Sequence, residues 1–114
     1  MAWLMSEARV LASADLAETR GERAKGLLGV DHIEGALVIP RCRWVHTIGM
    51  RFDIDVAYVD ATNVVIKTDT IKRNRMPLPV PRAQMVIEAR AGAFERWGLR
   101  VGDPVEIRLT DPDA

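Results

Sequence analysis

Apolar and polar residues alternate most cleanly over Pro104 to Thr110, with Val105, Ile107 and Leu109 on one face and Glu106, Arg108 and Thr110 on the other. A period of two marks a half-buried strand. The same period runs through Phe52 to Asp60, where Ile54, Val56 and Tyr58 share one face and Asp55, Ala57 and Val59 the other. Asp60-Ala61-Thr62-Asn63 then supplies turn-forming side chains, and Val64 to Lys72 returns rich in β-branched residues. Residues 54 to 72 therefore predict a β-hairpin, with Val56 and Ile66 in the core. Further strands are predicted at Ala8 to Ser13, at the continuous apolar run Gly35 to Pro40, and at Gln84 to Arg90, where Glu88 interrupts an apolar stretch. Arg43 to Thr47 alternates loosely until Gly49 breaks the run or marks a bulge. Met1 to Met5 is either an added strand or a loose end, and Trp3 favours partial packing.

Two segments switch to helical signals. Thr19 followed three residues later by Glu22 forms a capping box, which predicts a short helix over about 20 to 28 ending at Gly29. Gly21 and Gly26 weaken its propensity, so packing must hold it. Ala91 to Leu99 predicts a second short helix, with Phe94 and Trp97 on one face and Gly98 as the stop. Between the strands, Asn74 to Pro81 places three prolines at every second position. Proline lacks an N–H, so this segment is extended and outside any central ladder. The sum is a mainly β, compact, antiparallel sandwich or barrel of about six to seven strands with two short helices.

Composition narrows the class. The 114 residues make one domain, 1–114, with Asp111 to Ala114 a flexible polar tail. Lys plus Arg and Asp plus Glu each number 16, so the net charge is zero, and no global field draws the chain to nucleic acid or membrane. A single cysteine cannot form an internal disulfide, the N-terminal apolar run lacks a basic flank, and the expected compartment is the cytoplasm.

An ordered set of motifs resembles a known family. It runs from Glu22-Arg23-Ala24-Lys25-Gly26-Leu27-Leu28, through His46-Thr47-Ile48-Gly49-Met50-Arg51-Phe52-Asp53-Ile54-Asp55 and Val86-Ile87-Glu88-Ala89-Arg90-Ala91-Gly92, to Trp97-Gly98-Leu99-Arg100-Val101-Gly102-Asp103. This is similar to the bacterial and archaeal family called domain of unknown function 192, over about Ala17 to Ile107. The resemblance implies a small β-sandwich or barrel and brings no established activity, cofactor or catalytic residue. Family members usually carry proline where this chain has Asp53.

The chemistry-bearing residues concentrate between Arg41 and Asp60. Cys42, His46 and Met50 are four apart and would share one face of an unbroken strand. Thiolate, imidazole and thioether suit Cu(I), and zinc less well. An extended segment would spread them over roughly 26 Å, so one metal needs a fold at Gly49. The same bend is required for Cys42 and His46 to act as nucleophile and base. Asp53 and Asp55 form an i, i+2 carboxylate pair, and Asp55 is expected to cap a loop or to pair with a basic residue such as Arg23. Lys72, Arg73, Arg75 and Arg82 form a basic edge in a stretch without an acid from Thr70 to Ile87. It suits an anionic partner, or simply blocks edge-to-edge aggregation. The expected function is a non-catalytic module that binds a protein partner or small ligand, with Arg23, His46, Asp53 and Asp55 lining the site. No cofactor, membrane or nucleic-acid partner is expected. The alternative is an enzyme or soft-metal protein built on Cys42 to Asp55.

Overall fold

The structure, a computed structural model, describes residues 2–109. It is mainly β, with a single seven-stranded sheet in the order β5-β4-β6-β3-β2-β1-β7 and two short helices. The strands are β1 (Ala2–Ser6), β2 (Arg9–Leu16), β3 (Ala36–Pro40), β4 (Ile54–Val59), β5 (Val65–Ile71), β6 (Met85–Arg90) and β7 (Glu106–Arg108). Helix α1 spans Arg20–Lys25 and α2 spans Ala93–Trp97. Every neighbouring pair is antiparallel except β2 and β3, which run parallel across the connection that carries α1. The sheet curls without closing into a barrel. Its edges meet only at one end, where Val64 bridges Pro104 and Val65 N donates to Asp103 O at 2.9 Å. Among the described residues no helix is long and apolar enough to cross a membrane.

Alternation along the strands builds an apolar cluster on each face of the sheet. One face holds Ala57 and Val59 of β4 and Ile87 and Ala89 of β6, packed with Leu4, Val38, Phe94 and Leu99. The other holds Ile54, Val56, Tyr58, Val86 and Ile39, covered by Leu27, Val45, Met50 and Phe52 from the connecting loops. Strand β4 is consequently buried along its whole length, and β6 over all but its ends. Polar side chains on these two strands must find partners inside the protein or remain without them.

The hairpin of β4 and β5 forms as predicted, with the Asp60 carboxylate accepting from Thr62 N, Thr62 Oγ1 and Val64 N. Val56 is fully buried, whereas Ile66 is only half-buried, because β5 lies at the sheet edge. The capping box at Thr19 is present in both directions. The helix is shorter than expected, however, and ends at Lys25 with Gly26 at φ +51°, not at Gly29. Residues 41 to 53 are loop, not strand. The chain start is an added strand, paired with a β2 that extends to Leu16. The last strand is only three residues long, and Leu109, expected inside, is 64% exposed. Thr110 and the 111–114 tail lie outside the described residues.

Candidate functional site

A cavity of about 280 Å³ opens on the second face of the sheet. Its floor is Glu88 of β6 and Ile39 of β3, and one wall is α1 and its exit, from Arg23 to Leu28. The other wall is the 42–50 loop, which contributes Cys42, Trp44, Val45, His46 and Met50. Shallower depressions elsewhere are larger, such as the one of about 540 Å³ beside Ser6 and Arg100. Glu88, however, gives this cavity a buried acid with an unpaired oxygen.

Glu88 is 3% exposed, and its Oε1 has no hydrogen-bond partner among the described residues. Its register neighbours are Leu37 on β3 and Val56 on β4, both apolar. Burial pushes the carboxyl up to about 7, since charge in a low-dielectric site is disfavoured. Gly26 sits directly over it, and a Cβ at that position would lie 3.2 Å from Glu88 Oε1. Glycine at 26 thus serves a positive φ and a close approach to the acid.

A buried threonine and several backbone contacts fix the loop wall. Thr47 Oγ1 donates to Lys72 O at 2.6 Å and accepts from Arg75 N at 2.8 Å, while Thr47 N donates to Arg75 O at 2.9 Å. Trp44 Nε1 donates to Pro77 O at 2.7 Å, and Val80 N donates to Arg43 O at 2.8 Å. These bonds join the loop to the proline-spaced segment and hold Trp44 against His46, ring centroids 5.4 Å apart. His46 is half-buried, and its Nδ1 has no partner among the described residues. Cys42 Sγ donates to Trp44 O at 3.1 Å, and burial pushes its thiol above the usual range. On α1, Arg23 is half-buried and donates from NH1 to Glu18 O at 2.8 Å.

The structure therefore brings together Arg23, Cys42, His46 and Met50, by folding of a loop and not by strand parity. Among the described residues no three His, Cys, Asp or Glu side chains converge to hold a metal ion. The predicted pairing of Arg23 with Asp55 is corrected. Asp55 lies on the opposite face of β4, 4% exposed, and accepts from Thr70 Oγ1 at 2.8 Å, Gly92 N at 3.0 Å and Phe94 N at 3.1 Å. It ties α2 to the sheet and stands apart from the cavity. Asp53 Oδ1 accepts from Arg73 N at 2.9 Å and shapes the turn after β5. Lys72, Arg73, Arg75 and Arg82 are exposed, and none takes part in an ion pair among the described residues. The residue that sequence reasoning passed over is Glu88; its one signal was an acid inside an apolar strand.

Comparison with known proteins gives the chain a family but no chemistry. Two curated relatives are described as UPF0127 proteins. The one from Thermococcus gammatolerans is 30% identical over 85% of this chain and 67% of its own length. That from Thermococcus kodakarensis is 32% identical over 84% of this chain and 65% of its own. The chain thus spans about two-thirds of their length. Among solved structures, a protein of unknown function from Novosphingobium aromaticivorans matches with a TM-score of 0.76 at 22% identity, over 92% of this chain and 82% of that one. A protein described as a candidate transcription regulator from Sinorhizobium meliloti matches with a TM-score of 0.78 at 16% identity, over 92% and 90%. At these identities the likeness shows the fold alone. The model of the DUF192 family, described as an uncharacterized ACR, matches residues 3–107, and the chain belongs to that family.

Proposed function

We propose that this protein is a non-catalytic binding module that takes a small ligand into the cavity between α1 and the 42–50 loop. The observation that carries the proposal is Glu88, a buried carboxyl with an unpaired oxygen at the floor of an open cavity. Burying such a group without a hydrogen bond costs roughly 1–3 kcal/mol, which a ligand donor would recover. The walls suit a binder, since Thr47 and Gly26 fix them in place before any ligand arrives. They do not suit a nucleophile. The thiol is held protonated by burial, and its hydrogen bond goes to a backbone carbonyl and not to an imidazole.

The test is an amide NMR titration with a panel of amines, amino acids, carboxylates and polyols of fewer than about ten heavy atoms, a size matched to the cavity at ~30 Å³ per water-sized group. Saturable shifts at Gly26, Cys42, Val45 and His46 are expected from at least one class. A folded protein whose cavity amides ignore every class would overturn the proposal.

A second surface supports partner binding. The loop pair that walls the cavity exposes Trp44, Ile48, Met76 and Leu78 beside Lys72, Arg73 and Arg75. Apolar tips among unpaired cations suit an anionic partner.

A further inference from the structure

We propose that the ligand of this cavity is a small zwitterion, an amino acid or ω-amino acid, with its ammonium group on Glu88 and its carboxylate toward Arg23 and Lys25. The inference rests on the cavity being a binding site. It adds the chemical class, which follows from how the charges are arranged.

The cavity has two ends of opposite sign. At the floor, the carboxyl of Glu88 is sealed among Leu37, Ile39 and Val56, with one oxygen lacking a donor. His46 adds a second buried atom without a partner, its Nδ1. In the tautomer protonated at Nε2, imidazole Nδ1 is an acceptor, so the cavity lining holds two acceptor atoms without donors. At the wall, α1 supplies Arg23 and Lys25. Arg23 uses NH1 on the Glu18 carbonyl, which leaves the remaining N–H groups of its guanidinium for a carboxylate. Leu27, Val45 and Met50 add apolar lining that suits a short methylene chain.

The cations do not neutralise the acid. Burial raises the pKa of Glu88, and no ion pair joins it to Arg23 or Lys25 among the described residues. The other ionisable groups facing it are Cys42 and His46 from the loop and Tyr58 from β4, whose hydroxyl is itself pushed up to about 12, chiefly by burial. Neither Cys42 nor Tyr58 carries a positive charge in either protonation state. The missing cation at the floor is what a ligand ammonium provides. A purely anionic ligand would satisfy the wall and leave Glu88 without a donor. An uncharged polyol would satisfy the floor and leave the wall cations solvated.

The experiment titrates the full chain with glycine, β-alanine, 4-aminobutanoate and 5-aminopentanoate, and with the amine, acid and alcohol of each chain length, at pH 6 and pH 8. At least one amino acid is expected to bind ten-fold or more tightly than its matched amine and acid, with shifts at Gly26, Cys42 and Val45. Binding at pH 6 should release a proton, because the ammonium holds Glu88 ionised. Glu88→Gln should weaken amino acid and amine alike by at least ten-fold, whereas Arg23→Gln should weaken the amino acid and spare the amine. That second variant keeps the test open if the first does not fold. Butanoate or butanol binding at the same amides as tightly as the amino acids would refute the class while leaving the cavity as a site. No shift from any compound would refute both.

Discussion

The sheet buries two carboxylates on adjacent strands and treats them in opposite ways. Asp55 of β4 faces one cluster and accepts three hydrogen bonds, two of them from the backbone at the start of α2. Glu88 of β6 faces the other cluster with one oxygen unpartnered, in the lining of a cavity. The satisfied acid is architecture, since its bonds fix a helix onto the sheet. The unsatisfied acid has no such bond and lines the cavity. Burial is nearly equal for the two, so what separates a structural acid from a candidate site is the count of donors around it.

The contrast can be broken most severely by adding a third buried acid. Val56 pairs in register with Glu88, so Val56→Asp would place a second unpaired carboxyl beside it. A loss of about 4 kcal/mol or more is expected in urea denaturation. Ile66→Asp, on the half-buried edge strand, should cost only about 1 kcal/mol. Equal losses would mean that β4 is not the more central strand.

Asp55→Ala should cost about 3 kcal/mol, because it leaves the buried N–H groups of Gly92 and Phe94 without their acceptor. The loss should appear in the melting temperature, with ligand affinity preserved in the remaining folded protein. A binding defect without a stability defect would return Asp55 to the site.

Glu88 should show the opposite sign at alkaline pH. Its pKa rises from 4.5 to about 7 on folding, so the native state holds the proton more tightly than the unfolded chain. Stability from this group is full below pH 4.5 and declines as pH climbs toward 7, by roughly 3 kcal/mol in all at ~1.4 kcal/mol per unit. Glu88→Gln should flatten that decline and leave the variant more stable than the parent at pH 8. A variant less stable at every pH would show that the carboxylate is paired. The smallest effect is expected on the basic edge. Replacing Arg73, Arg75 and Arg82 with Gln should change stability by less than about 0.5 kcal/mol while abolishing any anionic partner's binding in a pull-down at low salt.

Much of this arrangement was legible in the residues, in a graded way. The β4–β5 hairpin announces itself through β-branched strands around Asp60 and Asn63, a local signal. The β1–β2 hairpin does not, because Glu7 and Ala8 adopt positive φ without the Asn or Gly that such turns favour. Cys42, His46 and Met50 do line one cavity. The bend that gathers them depends on Thr47 bonding to Lys72 and Arg75, partners about 25 residues away that no local pattern reveals. The Arg23–Asp55 pairing failed for a similar reason. Parity assigns residues to faces within a strand, but not which face a helix elsewhere in the chain will cover. Glu88 was visible as an acid in an apolar run. Its meaning required the pairing of β6 between β3 and β4, which encloses it on both sides.

The most direct test of the contrast between the two acids is a ¹³C NMR titration of the Glu88 side-chain carboxyl in the folded protein. A midpoint near pH 7, shifted downward when an amine saturates the cavity, is the predicted result. A midpoint near 4.5, the ordinary carboxylate value, with no response to any amine, would mean that Glu88 is solvated or paired and that the cavity holds no unsatisfied acid.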